Sequence, residues 1–254
     1  MKDFFVLKIP NEFYRTSLTE QTIPIILLCI AIGIIYFYKY KIRAKERLDK
    51  IIRYSIGIIS LTIFVSYYIS VWIIEGIRPD NLPFHLCYLT NILCIILAFT
   101  KNRSLFNFSI FAGVLGGISS LISVDMELSW RYFKYYQFMV GHTIIVLVPI
   151  YFLIIYKYIP TFKDAIKVFL LLQVIGMPMG IFNEIYKTNY FFVSFGSNAA
   201  SKGTFLTFLG DGYMYLFNLE LLAITCILVW YLVLKFIYKI LKSHSLNNDY
   251  SYKM

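Results

Sequence analysis

Residues 137–156 have the sequence QFMVGHTIIVLVPIYFLIIY and contain no Asp, Glu, Lys or Arg. A helix of about 20 residues rises about 30 Å, which matches the thickness of the hydrocarbon core of a bilayer. Uncharged apolar segments of this length are typical of membrane spans. The stretch therefore predicts a transmembrane helix near the middle of the chain.

Six other apolar stretches flank this segment along the chain. They are residues 23–40, 56–74, 84–99, 106–124, 165–185 and 212–240. The chain is 59% hydrophobic and only 15% charged, whereas soluble proteins average about 25% charged residues. We therefore expect an all-α membrane protein, built as a bundle of about seven transmembrane helices, with its shortest span at residues 84–99.

Basic residues are unevenly divided between the two ends of the predicted helices. With seven spans, 15 Lys and Arg residues fall on one side and 8 on the other. The positive-inside rule then predicts a multi-pass protein of the cell membrane with its N-terminus outside. The predicted regions are an extracytoplasmic segment at 1–22, a transmembrane domain at 23–240 and a cytoplasmic tail at 241–254. The net charge is +10. The basic residues lie between apolar runs, so we expect them to contact lipid headgroups and not nucleic acid.

Polar side chains gather near the outer ends of these helices. They are His85, Cys87, Gln137, His142, Asn183, Asn189 and Glu220. Such groups are costly at membrane depth and commonly mark functional sites or contacts between helices. A packing role stays open for each of them. A carboxylate within the membrane needs a polar partner, so we expect the Glu220 side chain to contact Arg131, Asn183 or His142.

Two local patterns indicate how the helices face one another. Cys87, Thr90, Asn91 and Cys94 follow i, i+3, i+4, i+7 spacing, so they share one helix face, which we expect to point into the bundle. Glycines 113, 116 and 117 are expected to permit close helix packing.

The run Leu82-Pro83-Phe84-His85-Leu86-Cys87, followed about fifty residues later by Tyr136-Gln137-Phe138-Met139-Val140-Gly141-His142, resembles the YwaF-like family of bacterial integral membrane proteins. That family is related to the eukaryotic transmembrane protein 164 acyltransferases, in which a Cys and a His are the proposed catalytic pair. Carried over, these roles fall on Cys87 and His142. Members of the family commonly have a polar or acidic residue after the Cys, where this chain has Tyr88. The substrate is therefore expected to differ from that of those members.

The resemblance implies a lipid acyltransferase or acyl hydrolase that forms a thioester on Cys87. Phospholipids and lysophospholipids are then the expected partners, with His85, Gln137, Asn183, Asn189 and Glu220 binding the substrate or its oxyanion. No cofactor is required, and three histidines do not suggest a metal site. The alternative is a non-enzymatic seven-helix transporter or small-ligand receptor, which a polar pocket on one face would serve equally well. The oligomeric state is left open.

Overall fold

The computed structural model describes residues 2–5, 16–123, 129–193 and 205–251. Every regular element within these ranges is helical. The α-helices are α1 (Leu18–Phe37), α2 (Lys39–Ala44), α3 (Glu46–Glu75), α4 (Leu86–Thr100), α5 (Arg103–Ile122), α6 (Phe133–Ile155), α7 (Phe162–Tyr186) and α8 (Gly212–Ser251). A π-helical turn, Ser109–Gly113, interrupts α5. Residues 6–15 of the predicted N-terminal segment and 252–254 of the predicted tail lie outside the described residues.

Six of these helices are long and apolar enough to cross a membrane, and α4 is a shorter apolar helix. The prediction of an all-α membrane protein with about seven spans is therefore confirmed. Its orientation and its division into three regions stay predictions. Two predicted boundaries differ from the observed ones, since α3 begins at Glu46 instead of 56 and α8 continues past 240 to Ser251.

Helix α6 lies at the centre of the bundle and packs against α1, α3, α4 and α5. In its most apolar window 67% of the residues are buried inside the protein, against 11% in α8. The exposed side chains of the peripheral helices are mostly Ile, Leu, Val and Phe. Such surfaces suit contact with acyl chains, because lipid tails are as apolar as these side chains.

Two glycines one turn apart bring α5 against its neighbours. A Cβ added at Gly113 would lie 2.5 Å from the Thr90 side chain on α4, and one added at Gly117 would lie 3.1 Å from the His142 carbonyl on α6. Real Cβ atoms do not approach other atoms as closely as 2.5 Å, so glycine sets the helix spacing here. The expectation that these glycines serve packing is confirmed.

Replacing Gly117 with alanine is expected to lower the free energy of unfolding by about 1–3 kcal/mol, because overpacking forces helices apart. The new methyl group would also lie 2.7 Å from Val146 and 2.9 Å from Ile145. Gly33→Ala is the matched control, since a Cβ there has nothing within 4 Å. Thermal unfolding in detergent should separate the two variants, and equal stability would contradict this account of the packing.

Helix α4 is short: its 15 residues span only about 22 Å. The chain before it forms a 3₁₀ turn at Pro79–Asn81, and residues 82–85 then lead into the helix. A side chain must satisfy the backbone N–H and C=O groups that such a segment leaves unpaired. Tyr190, from the connection after α7, does this: its hydroxyl accepts from the Leu82 N–H at 3.0 Å and donates to the Pro79 carbonyl at 2.7 Å.

The opposite end of the bundle contains a buried ionic cluster that centres on Asp49 in α3. The Asp49 carboxylate accepts hydrogen bonds from Arg53 at 3.0 Å, from Tyr151 at 2.7 Å and from Tyr156. Arg53 also donates to the Ala98 carbonyl in α4. Asp49 and Arg53 are 5% and 3% exposed, so this cluster ties α3, α4 and α6 together inside the protein.

Candidate active site

Cys87 is the second residue of α4, just where the non-helical segment becomes helix. Its side chain is partly buried. The sulfur lies 4.0 Å from the position that a Cβ would take at Gly116 of α5. The Ser120 hydroxyl, one turn further along α5, lies near the thiol. The thiol therefore faces α5 inside the bundle and not the surrounding lipid.

His142 lies on α6 and is 6% exposed. Its Nδ1 is 2.7 Å from the Phe138 carbonyl oxygen one turn earlier. A carbonyl oxygen only accepts, so Nδ1 must carry the proton in the neutral ring. The Nε2 atom then holds the lone pair, which is the tautomer that a general base needs. The Phe138 ring, 4.1 Å away between centroids, further fixes the orientation of the imidazole.

Adjacent glycines of α5 face the side chain of Cys87 and the backbone of His142. Gly116 faces the Cys87 sulfur, while Gly117 faces the His142 carbonyl. Neighbouring Cα atoms are about 3.8 Å apart, so Cys87 and the turn that carries His142 lie against the same short segment of α5. Their roles as a catalytic pair stay a prediction.

His85, the residue before α4, lies in an aromatic cluster. Its ring is 4.8 Å from Tyr190, 5.9 Å from Tyr88 and 6.3 Å from Phe192 between centroids. Burial raises the pKa of the Tyr190 hydroxyl, so that group stays protonated and donates to Pro79. The connection after α7 thus covers the segment that leads to Cys87.

Removing the Tyr190 hydroxyl is expected to loosen this cover. In Tyr190→Phe the Leu82 N–H and the Pro79 carbonyl lose their shared partner, at a cost of about 1–3 kcal/mol for buried groups left unpaired. Labelling of Cys87 by a small maleimide should become several-fold faster in a chain whose Cys29, Cys94 and Cys226 are replaced by alanine. Tyr186→Phe is the control, because Tyr186 is 52% exposed. Unchanged labelling would show that the contact does not control access to Cys87.

Asn183, at the end of α7, organises the same connection. Its amide nitrogen donates to the Tyr190 and Val193 carbonyls at 2.8 and 2.7 Å. Its oxygen accepts from the Thr188 hydroxyl and from the Tyr190 N–H. All four hydrogen-bonding positions of the amide are therefore occupied, so an oxyanion role for Asn183 requires this connection to release it. Asn189 precedes the 3₁₀ turn Tyr190–Phe192 and lies beside this network.

Glu220 has a polar partner, as expected, but that partner is not Arg131, Asn183 or His142. Gln173 on α7 donates to its carboxylate at 2.7 Å, which links α7 to α8. Gln137 on α6 is 4% exposed. It lines a small cleft with Asn91 and Ser60, so it lies with the polar stripe of α4.

Sequence reasoning missed Ser120 as a neighbour of Cys87, and it placed Asn91 on the same helix face as Cys87 without assigning it to the site. Ser120 lies near the Cys87 thiol. Asn91 accepts from the Ser60 hydroxyl at 3.1 Å and donates to the Gly141 carbonyl at 3.4 Å. Asn91 lies on the same α4 stripe as Cys87, and this is the sequence signal that could have placed it beside the site. Ser120 carries no comparable signal, because only the packing of α5 against α4 brings it there.

These features define a polytopic membrane protein whose helical bundle contains a thiol and an imidazole facing its interior. The family model described as the TMEM164 family matches residues 15–231, so the chain belongs to that family. The bacterial YwaF-like subgroup stays a prediction. No curated protein and no solved structure matches the chain.

Proposed function

We propose that this protein is a phospholipid acyltransferase, or acyl hydrolase, of the cell membrane that uses Cys87 as its nucleophile and His142 as its base. The observation that carries the proposal is the packing at Gly116 and Gly117, which brings both residues to one segment of α5. The tautomer of His142 supports it, because the bond to Phe138 leaves Nε2 free to take a proton.

In the first half of the reaction, Nε2 of His142 takes the thiol proton of Cys87, since the thiolate is the reactive nucleophile. The sulfur attacks the carbonyl carbon of a phospholipid ester and forms a carbon–sulfur bond. The ester carbon–oxygen bond then breaks. The leaving alkoxide takes the proton from the imidazolium and departs as a lysophospholipid, which leaves an acyl thioester on Cys87.

In the second half, a lysophospholipid hydroxyl attacks the thioester while His142 accepts its proton. The carbon–sulfur bond breaks, the thiolate recovers the proton and a new phospholipid ester is released. Water in place of the hydroxyl gives a free fatty acid, which is the hydrolase outcome. The two half-reactions together need no oxidant, reductant or cofactor.

The other predicted residues take supporting roles in this proposal. Gln137 is the amide best suited to donate to the oxyanion, because it makes no hydrogen bond to any residue that the structure describes. His85 lies in the segment that leads to Cys87, where it would contact the substrate, and Asn189 directly precedes Tyr190, whose ring is 4.8 Å from that of His85. Glu220, held by Gln173, would contact a lipid between α7 and α8.

Trapping of the thioester tests the proposal directly. Purified protein is incubated with phosphatidylcholine that carries a radiolabelled acyl chain, then quenched in acid and treated with hydroxylamine. Label that stays with the protein and is released by hydroxylamine is the expected result. Cys94→Ala is the matched control, because Cys94 is a fully buried cysteine on the same helix, and it should keep the label. Acyl transfer without any trapped label, even in rapid quenching, would contradict the covalent route.

A further inference from the structure

A small cleft opens where α3, α4 and α6 meet, at the level of Gly141. It has room for about one water-sized group, and its polar lining comes from Ser60, Asn91 and Gln137. The position that a Cβ would take at Gly141 lies 3.7 Å from the Asn91 amide nitrogen and 3.9 Å from the Gln137 amide nitrogen. Two N–H₂ groups therefore converge on the space that Gly141 leaves open.

Gln137 is the unusual member of this cleft. Only 4% of its surface is exposed, and it makes no hydrogen bond to any residue within the described ranges. The amide has no partner in the described part of the chain, so an acceptor that enters the cleft would supply its hydrogen bond. The Asn91 nitrogen donates only one long bond, to the Gly141 carbonyl at 3.4 Å, and its second hydrogen is available.

The chemistry of the lining selects the ligand. The groups that converge at Gly141 are N–H donors, so they bind an oxygen with lone pairs. No charged residue lines the cleft, which disfavours a phosphate or an ammonium group. The cleft has room for about one water-sized group, so it holds a single polar group and not a whole headgroup.

The remaining walls of the cleft are Ile63, Phe64 and Val140. These side chains are partly exposed, and the surface of α3 beside them consists of exposed apolar residues such as Leu61 and Val65. In a bilayer that surface contacts acyl chains, which makes a lipid the occupant that we favour.

We infer that the cleft at Gly141 is a binding subsite for the ester carbonyl of a membrane glycerolipid, held by the Gln137 and Asn91 amides. The acyl chain attached to that carbonyl lies along Ile63, Phe64 and Val140. Asn91 is one helical turn from Cys87 on α4, so a lipid anchored here is presented next to the thiol. The inference goes beyond the proposed reaction, because binding at this subsite does not require Cys87 to react.

Binding is measured on the Cys87→Ala protein, so that a failure of the proposed chemistry cannot affect the result. Native mass spectrometry follows the titration of this protein with dioleoyl phosphatidylcholine and, separately, with its dialkyl ether analogue. The two lipids share headgroup and chains but differ in the ester carbonyls. The diacyl lipid is expected to bind roughly 5- to 30-fold more tightly, the gain from one or two hydrogen bonds in an apolar site.

Gly141→Ala is the sharpest variant, because its methyl group would occupy the space between the two amides without a close contact. This variant should fold normally, and it should bind the diacyl and the ether lipid about equally. Gln137→Leu should do the same by removing a donor, whereas Gly33→Ala should keep the full preference. Equal binding of the two lipids by the parent, or an unchanged preference in both cleft variants, would overturn the inference in favour of a bound water or an empty cleft.

Discussion

Cys87→Ala is expected to reduce acyl transfer by roughly 10³-fold or more while the protein stays folded and inserted. Covalent catalysis has no substitute for its nucleophile, and losses of this size or larger follow when such a residue is removed. The structural cost is small, since the change removes one sulfur from a partly buried position. The assay follows a labelled acyl chain from phospholipid to lysophospholipid in membranes, with protein level and thermal stability measured in parallel.

The control for Cys87→Ala is Cys94→Ala on the same helix. Cys94 is fully buried two turns below Cys87, so its loss should affect packing at least as much and leave activity near that of the parent. A structural cysteine costs stability and spares activity, whereas a catalytic one does the reverse. Full activity in Cys87→Ala would exclude the thioester mechanism and favour a direct acyl hydrolase or transferase with another nucleophile.

The second large effect is expected at Asp49, far from the candidate active site. Asp49→Ala leaves the Arg53 guanidinium buried at 3% exposure without its carboxylate, and it removes the acceptor of Tyr151 and Tyr156. Breaking a buried ion pair in this way typically costs about 3–5 kcal/mol. Membrane proteins with such a loss should be recovered folded in much smaller amounts, which size-exclusion chromatography and thermal unfolding in detergent will measure.

Two further variants show whether the effect comes from the uncompensated charge. Glu46→Ala removes a carboxylate from the same first turn of α3, but from an exposed position, and should change stability little. The double variant Asp49→Leu, Arg53→Leu removes both charges and should recover much of the loss, because apolar replacements of buried pairs are often neutral. A single Asp49→Ala variant as stable as the parent would show that the cluster does not hold the three helices together.

The number and class of the spans, the glycine packing and the family relationship could be predicted from the sequence. The physical reason is that a bilayer demands about 20 apolar residues from every helix that crosses it, a local requirement that appears in the sequence. Residues 137–156 met this requirement most clearly, and they form most of the central helix α6.

Only the tertiary structure decided how the polar residues are used. Asp49 and Arg53 belong to a basic connection that the sequence assigned to lipid headgroups, yet they are buried with Tyr151 from 102 residues further along the chain. Tyr190 binds Leu82 across 108 residues, and Gln173, rather than Arg131, pairs with Glu220. The residue type alone predicts that a buried polar group needs a hydrogen-bond partner. Which residue becomes that partner depends on the packing of distant helices, which no local sequence pattern predicts.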